Sequence, residues 1–201
     1  MKKIPFILII SLIGLLTLTA CSSTNASATP VTATLFPEPT ATAVMVLPTP
    51  SSPGDSILWQ DLQVILDETE ISDEYISSFG STRSPSPGMK FLWAHIQLRN
   101  MGQIEISTPL LENYSVLYAG TELKPSYGYR QDYKDYSTLD PALFPNQKAD
   151  GWIRFDVPTA AGLNELLCVF LPESSQIGTS YSSPNYPYPE DKPTYVWKCA
   201  P

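Results

Sequence analysis

The stretch KFLWAHIQLRN, residues 90–100, alternates with a period of two: Leu92, Ala94, Ile96 and Leu98 fall on one side, and Phe91, Trp93, His95, Gln97 and Arg99 on the other. Successive side chains of a strand point to opposite faces, whereas a helix returns to one face every three or four residues. The pattern therefore predicts a long strand with one buried face. GWIRFDVP, residues 151–158, repeats the device with Ile153, Phe155 and Val157 inward, Trp152, Arg154 and Asp156 outward, and Pro158 as the stop. Shorter strands are expected at residues 57–66, 105–108, 114–118, 122–124, 165–171 and 195–198, with turns at Ser86-Pro87-Gly88, Met101-Gly102, Ala119-Gly120, Pro145-Asn146 and Gly162. No stretch sustains a helical period. Short strands with Gly/Pro turns indicate an all-β antiparallel β-sandwich.

The core strands carry a more specific likeness. GMKFLWAHIQLRNMG, followed further along by FPNQKADGWIRFDVP and ELLCVFLP, resembles an uncharacterised family of bacterial lipoprotein domains with an immunoglobulin-like sandwich. That family is similar in fold to a secreted mycobacterial immunoprotective antigen. Its pattern is a long strand ending in Asn and a polar turn, then Pro-Gly, then Gly-x-apolar-x-Phe-x-Val-Pro; Asn100, Gly151, Phe155, Val157 and Pro158 match it. Pro145-Asn146 departs from Pro-Gly, although Asn also tolerates the positive φ such a turn needs. The resemblance spans residues 57–172 and implies an immunoglobulin-like fold and an envelope address, with no reaction.

The N-terminus points to the same address. Lys2 and Lys3 precede an apolar run from Ile4 to Leu16 that closes on Leu18-Thr19-Ala20-Cys21. The run falls short of the roughly 20 apolar residues a spanning helix needs, so residues 1–20 read as a cleaved signal peptide. Leu18-Thr19-Ala20-Cys21 looks like the lipobox of bacterial lipoproteins, which implies a diacylglycerol on the Cys21 thiol and a cell-membrane anchor on the extracytoplasmic side. The alternative is an ordinary signal peptide with a free Cys21 nearby, but a lone thiol on an exported chain is a liability. Residues 21–55, rich in Ser, Thr and Pro and almost uncharged, read as a disordered linker reaching on the order of 100 Å if extended. Residues 56–201 are the sandwich domain with a Pro/Tyr-rich tail.

Two further cysteines, Cys168 and Cys199, lie in a compartment that permits disulfides. Pairing them restricts the unfolded chain by about 3–4 kcal/mol in the chain-entropy model. Two free thiols or half a metal site is the alternative, for which His95, the single histidine, supplies little. Loss of Lys2 and Lys3 with the signal leaves 10 basic and 20 acidic residues. That balance repels phosphate backbones and disfavours nucleic-acid binding.

Candidate chemistry is sparse. His95 is the one imidazole, but no Gly-x-Ser-x-Gly elbow accompanies it, and a triad needs a nucleophile and an orienting acid beside the ring. DETEISDE gathers Asp67, Glu68, Glu70, Asp73 and Glu74; a calcium site and a solvated acidic strand end both stay open, though the spacing is not that of an EF-hand. SYGYRQDYKDYS places Tyr127, Tyr129, Tyr133 and Tyr136 among Arg130, Asp132, Lys134 and Asp135, and Tyr181, Tyr186 and Tyr188 follow in the tail. Tyrosine offers apolar area with a hydrogen-bonding tip, which suits recognition loops; cover for the sandwich ends is the competing reading. The expectation is a non-catalytic module needing no cofactor or metal, with an envelope protein or extracellular ligand as partner. An accessory subunit of an envelope complex, or a hydrolase using His95, are the alternatives.

Overall fold

Period-two patterning becomes strand along most of the sandwich. A computed structural model of the chain describes residues 47–172 and 193–200. The signal peptide, Cys21, most of the linker and Tyr181, Tyr186 and Tyr188 lie outside the described residues. The strands are β1 (Ser56–Trp59), β2 (Leu62–Ser72), β3 (Tyr75–Ile76), β4 (Thr82–Arg83), β5 (Met89–Asn100), β6 (Ile106–Ser107), β7 (Tyr114–Tyr118), β8 (Thr121–Leu123), β9 (Pro125–Ser126), β10 (Ala142–Leu143), β11 (Lys148–Pro158), β12 (Leu166–Phe170) and β13 (Tyr195–Lys198). Among the described residues there is no α-helix.

Two sheets form the layers: β1-β2-β5-β11-β9 and β13-β12-β7-β8, with antiparallel neighbours throughout. The inward residues of both meet in one core. Leu62, Val64, Leu66, Leu92, Ala94, Ile96, Leu98, Ile153, Phe155 and Val157 come from the larger sheet, and Tyr114, Val116, Leu166, Cys168, Phe170 and Trp197 from the smaller. Each such side chain contributes about 1.5–3 kcal/mol on leaving water. The expected all-β, immunoglobulin-like antiparallel sandwich is the observed architecture, and Cys168 is bonded to Cys199 across β12 and β13, with Cα atoms 5.6 Å apart.

Three local expectations change. Residues 57–66 form a hairpin rather than one strand, because Gln60 turns the chain with φ of 53°. The linker ends earlier than composition indicates. Ser51 N–H donates to Val196 O at 2.8 Å, Ser51 O accepts from Lys198 N–H at 2.9 Å, and Leu47 packs with Leu117, Val169 and Val196 on the outer face of the smaller sheet. Residues 47–55 are thus part of the fold, held by backbone pairing that composition does not register. The third change concerns the outward residues of β5 and is taken up below. At Pro145-Asn146 the departure from glycine is accommodated as anticipated: Asn146 has φ of 64°.

Asn100 explains why a strand of this kind ends in asparagine. Fully buried, it donates through Nδ2 to Ile104 O at 2.7 Å and Leu143 O at 2.9 Å, and its Oδ1 accepts from Gly102 N–H at 2.8 Å. One carboxamide therefore closes two loops at the end of the sandwich. Gly151 has an equally local reason, since a Cβ there would lie 2.7 Å from the Tyr136 Cα, and the glycine lets that backbone lie against β11.

Candidate functional site: a clamped aromatic loop on the outer sheet face

The register of β2, β5 and β11 lays the outer face of the larger sheet out in rows. Gln63, Arg99 and Lys148 share one row and Ile65, Gln97 and Asp150 the next; then come Glu68, His95 and Trp152, Glu70, Trp93 and Arg154, and Ser72, Phe91 and Asp156. A bulge makes Asp67 an extra residue in β2. Bulges re-aim side chains, and here the Asp67 carboxylate reaches His95 Nδ1 at 3.0 Å.

The last three rows are covered. Phe91 and Trp93, expected to face outward toward solvent, do face outward but are buried, Trp93 at 1% exposure. Their cover is the β3–β4 ribbon and residues 127–136. Tyr75 meets Phe91 and Trp93 edge-on, with ring centroids 5.1 and 5.0 Å away, and Trp93 Nε1 donates to Ser72 Oγ at 3.0 Å. Above them runs a continuous stack. The Arg130 guanidinium lies 4.0 Å over Tyr133, Tyr133 lies 3.9 Å from Trp152 at 10°, and Trp152 lies 4.8 Å from His95 at 21°.

Charge pairs lock this stack. Arg130 Nη1 donates to Glu70 Oε1 and its Nε to Asp132 Oδ1, both at 2.8 Å, while the Tyr133 hydroxyl donates to the other Glu70 oxygen. Burial alone lowers the Arg130 pKa, but its hydrogen bonds to Glu70 and Asp132 outweigh that and leave the guanidinium above its ordinary value. Burial, then the Glu70 hydrogen bond and charge, raises the Tyr133 phenol pKa well above its ordinary value. Backbone bonds complete the clamp: Gln131 N–H to Ile76 O at 2.9 Å, Ser78 N–H to Tyr129 O at 2.9 Å and Trp152 N–H to Lys134 O at 2.8 Å.

The four tyrosines of the loop consequently part company. Tyr127 is 69% exposed and Tyr129 also faces solvent, whereas Tyr133 is sandwiched in the stack. Tyr136 is in the core at 3% exposure, donating to Pro109 O at 3.0 Å beside the Tyr114 hydroxyl. Burial keeps Tyr136 from ionising at its usual pH, and burial together with the Tyr136 neighbour does the same to Tyr114. As a contact residue Tyr136 is therefore corrected: it fills the sandwich end, as the competing reading held. What sequence reasoning missed is the partner segment. Ile76 belongs to the stretch 76–78 that pairs with residues 129–131, and Phe79, 86% exposed, lies in the turn that follows it. The signal was present as an unexplained Phe in a Ser/Gly turn, ISSFGS.

His95 holds Asp67 through Nδ1 and Asp150 through Nε2, the latter at 3.4 Å. Among the described residues no serine or thiol is a hydrogen-bond partner of the ring. In the acidic run, Asp67 is directed to His95 and Glu70 to Arg130 and Tyr133. Among the described residues no group of three or more His, Cys, Asp or Glu side chains is arranged to hold a metal ion.

No family model matches the chain, and no curated protein matches it. Among solved structures it is similar to the yjhA protein from Bacillus subtilis, at 11% identity and a TM-score of 0.50 over 73% of this chain and 97% of that one. A candidate lipoprotein, ycdA, from Bacillus subtilis subsp. subtilis str. 168 aligns at 13% identity and a TM-score of 0.47, over 74% of this chain and 39% of its own. An uncharacterized β-sandwich protein from Clostridium difficile 630 aligns at 12% identity and 0.44, over 76% and 97%. No helix among the described residues is long and apolar enough to cross a membrane. At such identities the likeness to the yjhA protein speaks for the fold alone, and the fold is an antiparallel β-sandwich.

Proposed function

We propose that the chain is a membrane-anchored extracytoplasmic lipoprotein whose sandwich is a non-catalytic binding module, with Ile76, Phe79, Tyr127 and Tyr129 as its recognition rim. The observation that carries this reading is the pairing of rigid support with exposed apolar area. Residues 127–136 are pinned to the sheet by the Arg130–Tyr133–Trp152 stack and two carboxylates, yet the four rim side chains stay in solvent. Holding such a surface still before binding reduces the ordering cost of association. Against the hydrolase reading, both ring nitrogens of His95 are taken by carboxylates and neither serves a hydroxyl. The lipid anchor rests on the Leu18-Thr19-Ala20-Cys21 motif.

Two experiments test the reading. Cys21→Ser should abolish lipid labelling and move the protein out of the membrane fraction; retention after detergent-free washing would mean a different anchor. The full chain bearing Phe79→Ala, Tyr127→Ala and Tyr129→Ala should lose crosslinks to its envelope partner. Its stability should change by no more than about 0.5 kcal/mol per site, as for other exposed substitutions. Unchanged crosslinks would move the surface elsewhere on the sandwich, and unchanged crosslinks through the outer face of the smaller sheet would favour the accessory-subunit alternative.

A further inference from the structure

Among the described residues nothing covers the two rows beyond His95, and they form a depression of about 280 Å³ lined by Gln63, Ile65, Gln97, Arg99, Lys148 and Asp150. Arg99 and Lys148 face each other directly across β5 and β11, and Gln63 flanks Arg99 from β2. Arg130 and Arg154 each have a carboxylate partner. Arg99 and Lys148 have none among the described residues; Arg99 Nε, like that of Arg154, is buried without a hydrogen-bond acceptor, so the missing carboxylate is what sets Arg99 apart. Buried donors are nearly always satisfied, and a guanidinium presents a fork of donors shaped for an oxyanion. Asp150, the acid on the rim, is turned to His95 Nε2 and, at 3.9 Å, to Lys134 Nζ.

We propose that this depression binds a single oxyanion, a carboxylate or phosphate group, carried on a small hydroxylated ligand. Arg99 and Lys148 take the charged group, the carboxamides of Gln63 and Gln97 take neighbouring hydroxyls as either donor or acceptor, and Ile65 offers an apolar floor for a ring. The excess of 20 acidic over 12 basic residues repels extended polyanions at a distance, so the site suits one charged unit rather than a nucleic-acid strand. The inference stands independently of the rim: it uses other side chains, at the other end of the sheet face.

Calorimetric titration of the purified full chain at low salt, with inorganic phosphate, galacturonate and neutral galactose as probes, tests the site. Saturable one-to-one binding of phosphate or galacturonate, without galactose binding, is the expected result. Phosphate alone assigns a phosphate-bearing ligand, and galacturonate alone a sugar acid. Arg99→Gln should weaken binding at least about tenfold, the usual worth of a charge-assisted hydrogen bond. Lys148→Gln, at an exposed position, should weaken it with an unchanged melting temperature. Asp150→Asn should tighten it about threefold by removing a nearby like charge. Absence of saturable heat with both anions, equal binding of galactose, or affinity unaltered in both Arg99→Gln and Lys148→Gln would overturn the proposal.

Discussion

The outer face of one sheet carries two regions that began from the same strand grammar and ended differently. In the rows of His95, Trp93 and Phe91, outward side chains are aromatic and have been roofed by residues 127–136 and the β3–β4 ribbon, making a second small core of Tyr75, Phe91 and Trp93 with Tyr133 and Trp152 against it. In the rows of Gln97 and Arg99, the outward side chains of β5 are polar, Ile65 of β2 is the one apolar neighbour, and no roof forms among the described residues. The difference teaches that alternation decides which way a side chain points, while the chemistry at the outward positions decides whether that direction ends in water. Bare Phe and Trp on a sheet expose an apolar patch large enough to demand cover; carboxamides, Lys and Arg stems do not.

The sharpest way to break the comparison is to remove a ring from the roofed half. Trp93→Ala should cost about 3–5 kcal/mol in urea unfolding, as buried Trp truncations do, and should expose Tyr133 and Arg130 to faster amide exchange around them. A cost near that of a surface site would mean the roof is decorative.

Alkaline titration sharpens it next. Tyr114 and Tyr136 ionise at higher pH in the fold than in the unfolded chain, where phenols release their proton near pH 10, at about the reference value. Above that pH the unfolded state therefore holds fewer protons than the native one, so the stability these groups confer is complete below about pH 10 and is lost as pH rises toward their folded values. The expected slope is about 1.4 kcal/mol per pH unit for each of these two tyrosines, and Tyr114→Phe with Tyr136→Phe should reduce it to what Tyr133, also raised, supplies. A pH-independent midpoint from 9.5 to 11, measured by denaturant titration at about half-unit steps, would refute burial of these phenols.

Cutting the clamp is a smaller test. Arg130→Met keeps the stem and deletes the guanidinium, with an expected loss of about 1–2 kcal/mol from charge-assisted hydrogen bonds and the ring contact. Because Tyr133 then lacks one stacked neighbour, its fluorescence environment should loosen while the main core stays folded. On the open half the smallest effect is expected: Gln97→Ala should change stability by no more than about 0.5 kcal/mol, and a large loss would show that this region too is packed.

Legibility in the sequence followed these same lines. The inward residues of residues 90–100 and 151–158 were readable because period two maps one set onto one face, and Leu92, Ala94, Ile96, Leu98, Ile153, Phe155 and Val157 are all buried. Burial of Phe91 and Trp93 was not readable from the strand alone, since it depends on a segment some forty positions later, though two outward aromatics beside an aromatic-rich loop were a usable hint. Nothing in SYGYRQDYKDYS separates Tyr136 from Tyr127. The difference arises where Asp135 caps a short 3₁₀ turn by accepting from Ser137 N–H at 2.8 Å and Gly151 admits the Tyr136 backbone. Arg99 and Lys148 are far apart in the chain and become neighbours only through the β5–β11 register, which turn geometry and the hydrophobic set specify jointly.

Ser51 gives the molecule a load path. A pull on the chain ahead of Leu47 would enter the fold at the packing of Leu47 on Leu117, Val169 and Val196 and then at the two backbone hydrogen bonds between Ser51 and Val196 and Lys198, so the smaller sheet is the first to carry tension. Beyond Lys198, the Cys199 bond to Cys168 rivets that strand's end to β12. Loss of the Ser51 attachment would leave β13 riveted to β12 and residues 54–55 still held, Gly54 N–H donating to Leu66 O at 2.8 Å and Asp55 O accepting from Trp197 Nε1 at 3.0 Å, so only the few residues ahead of them would come free as slack.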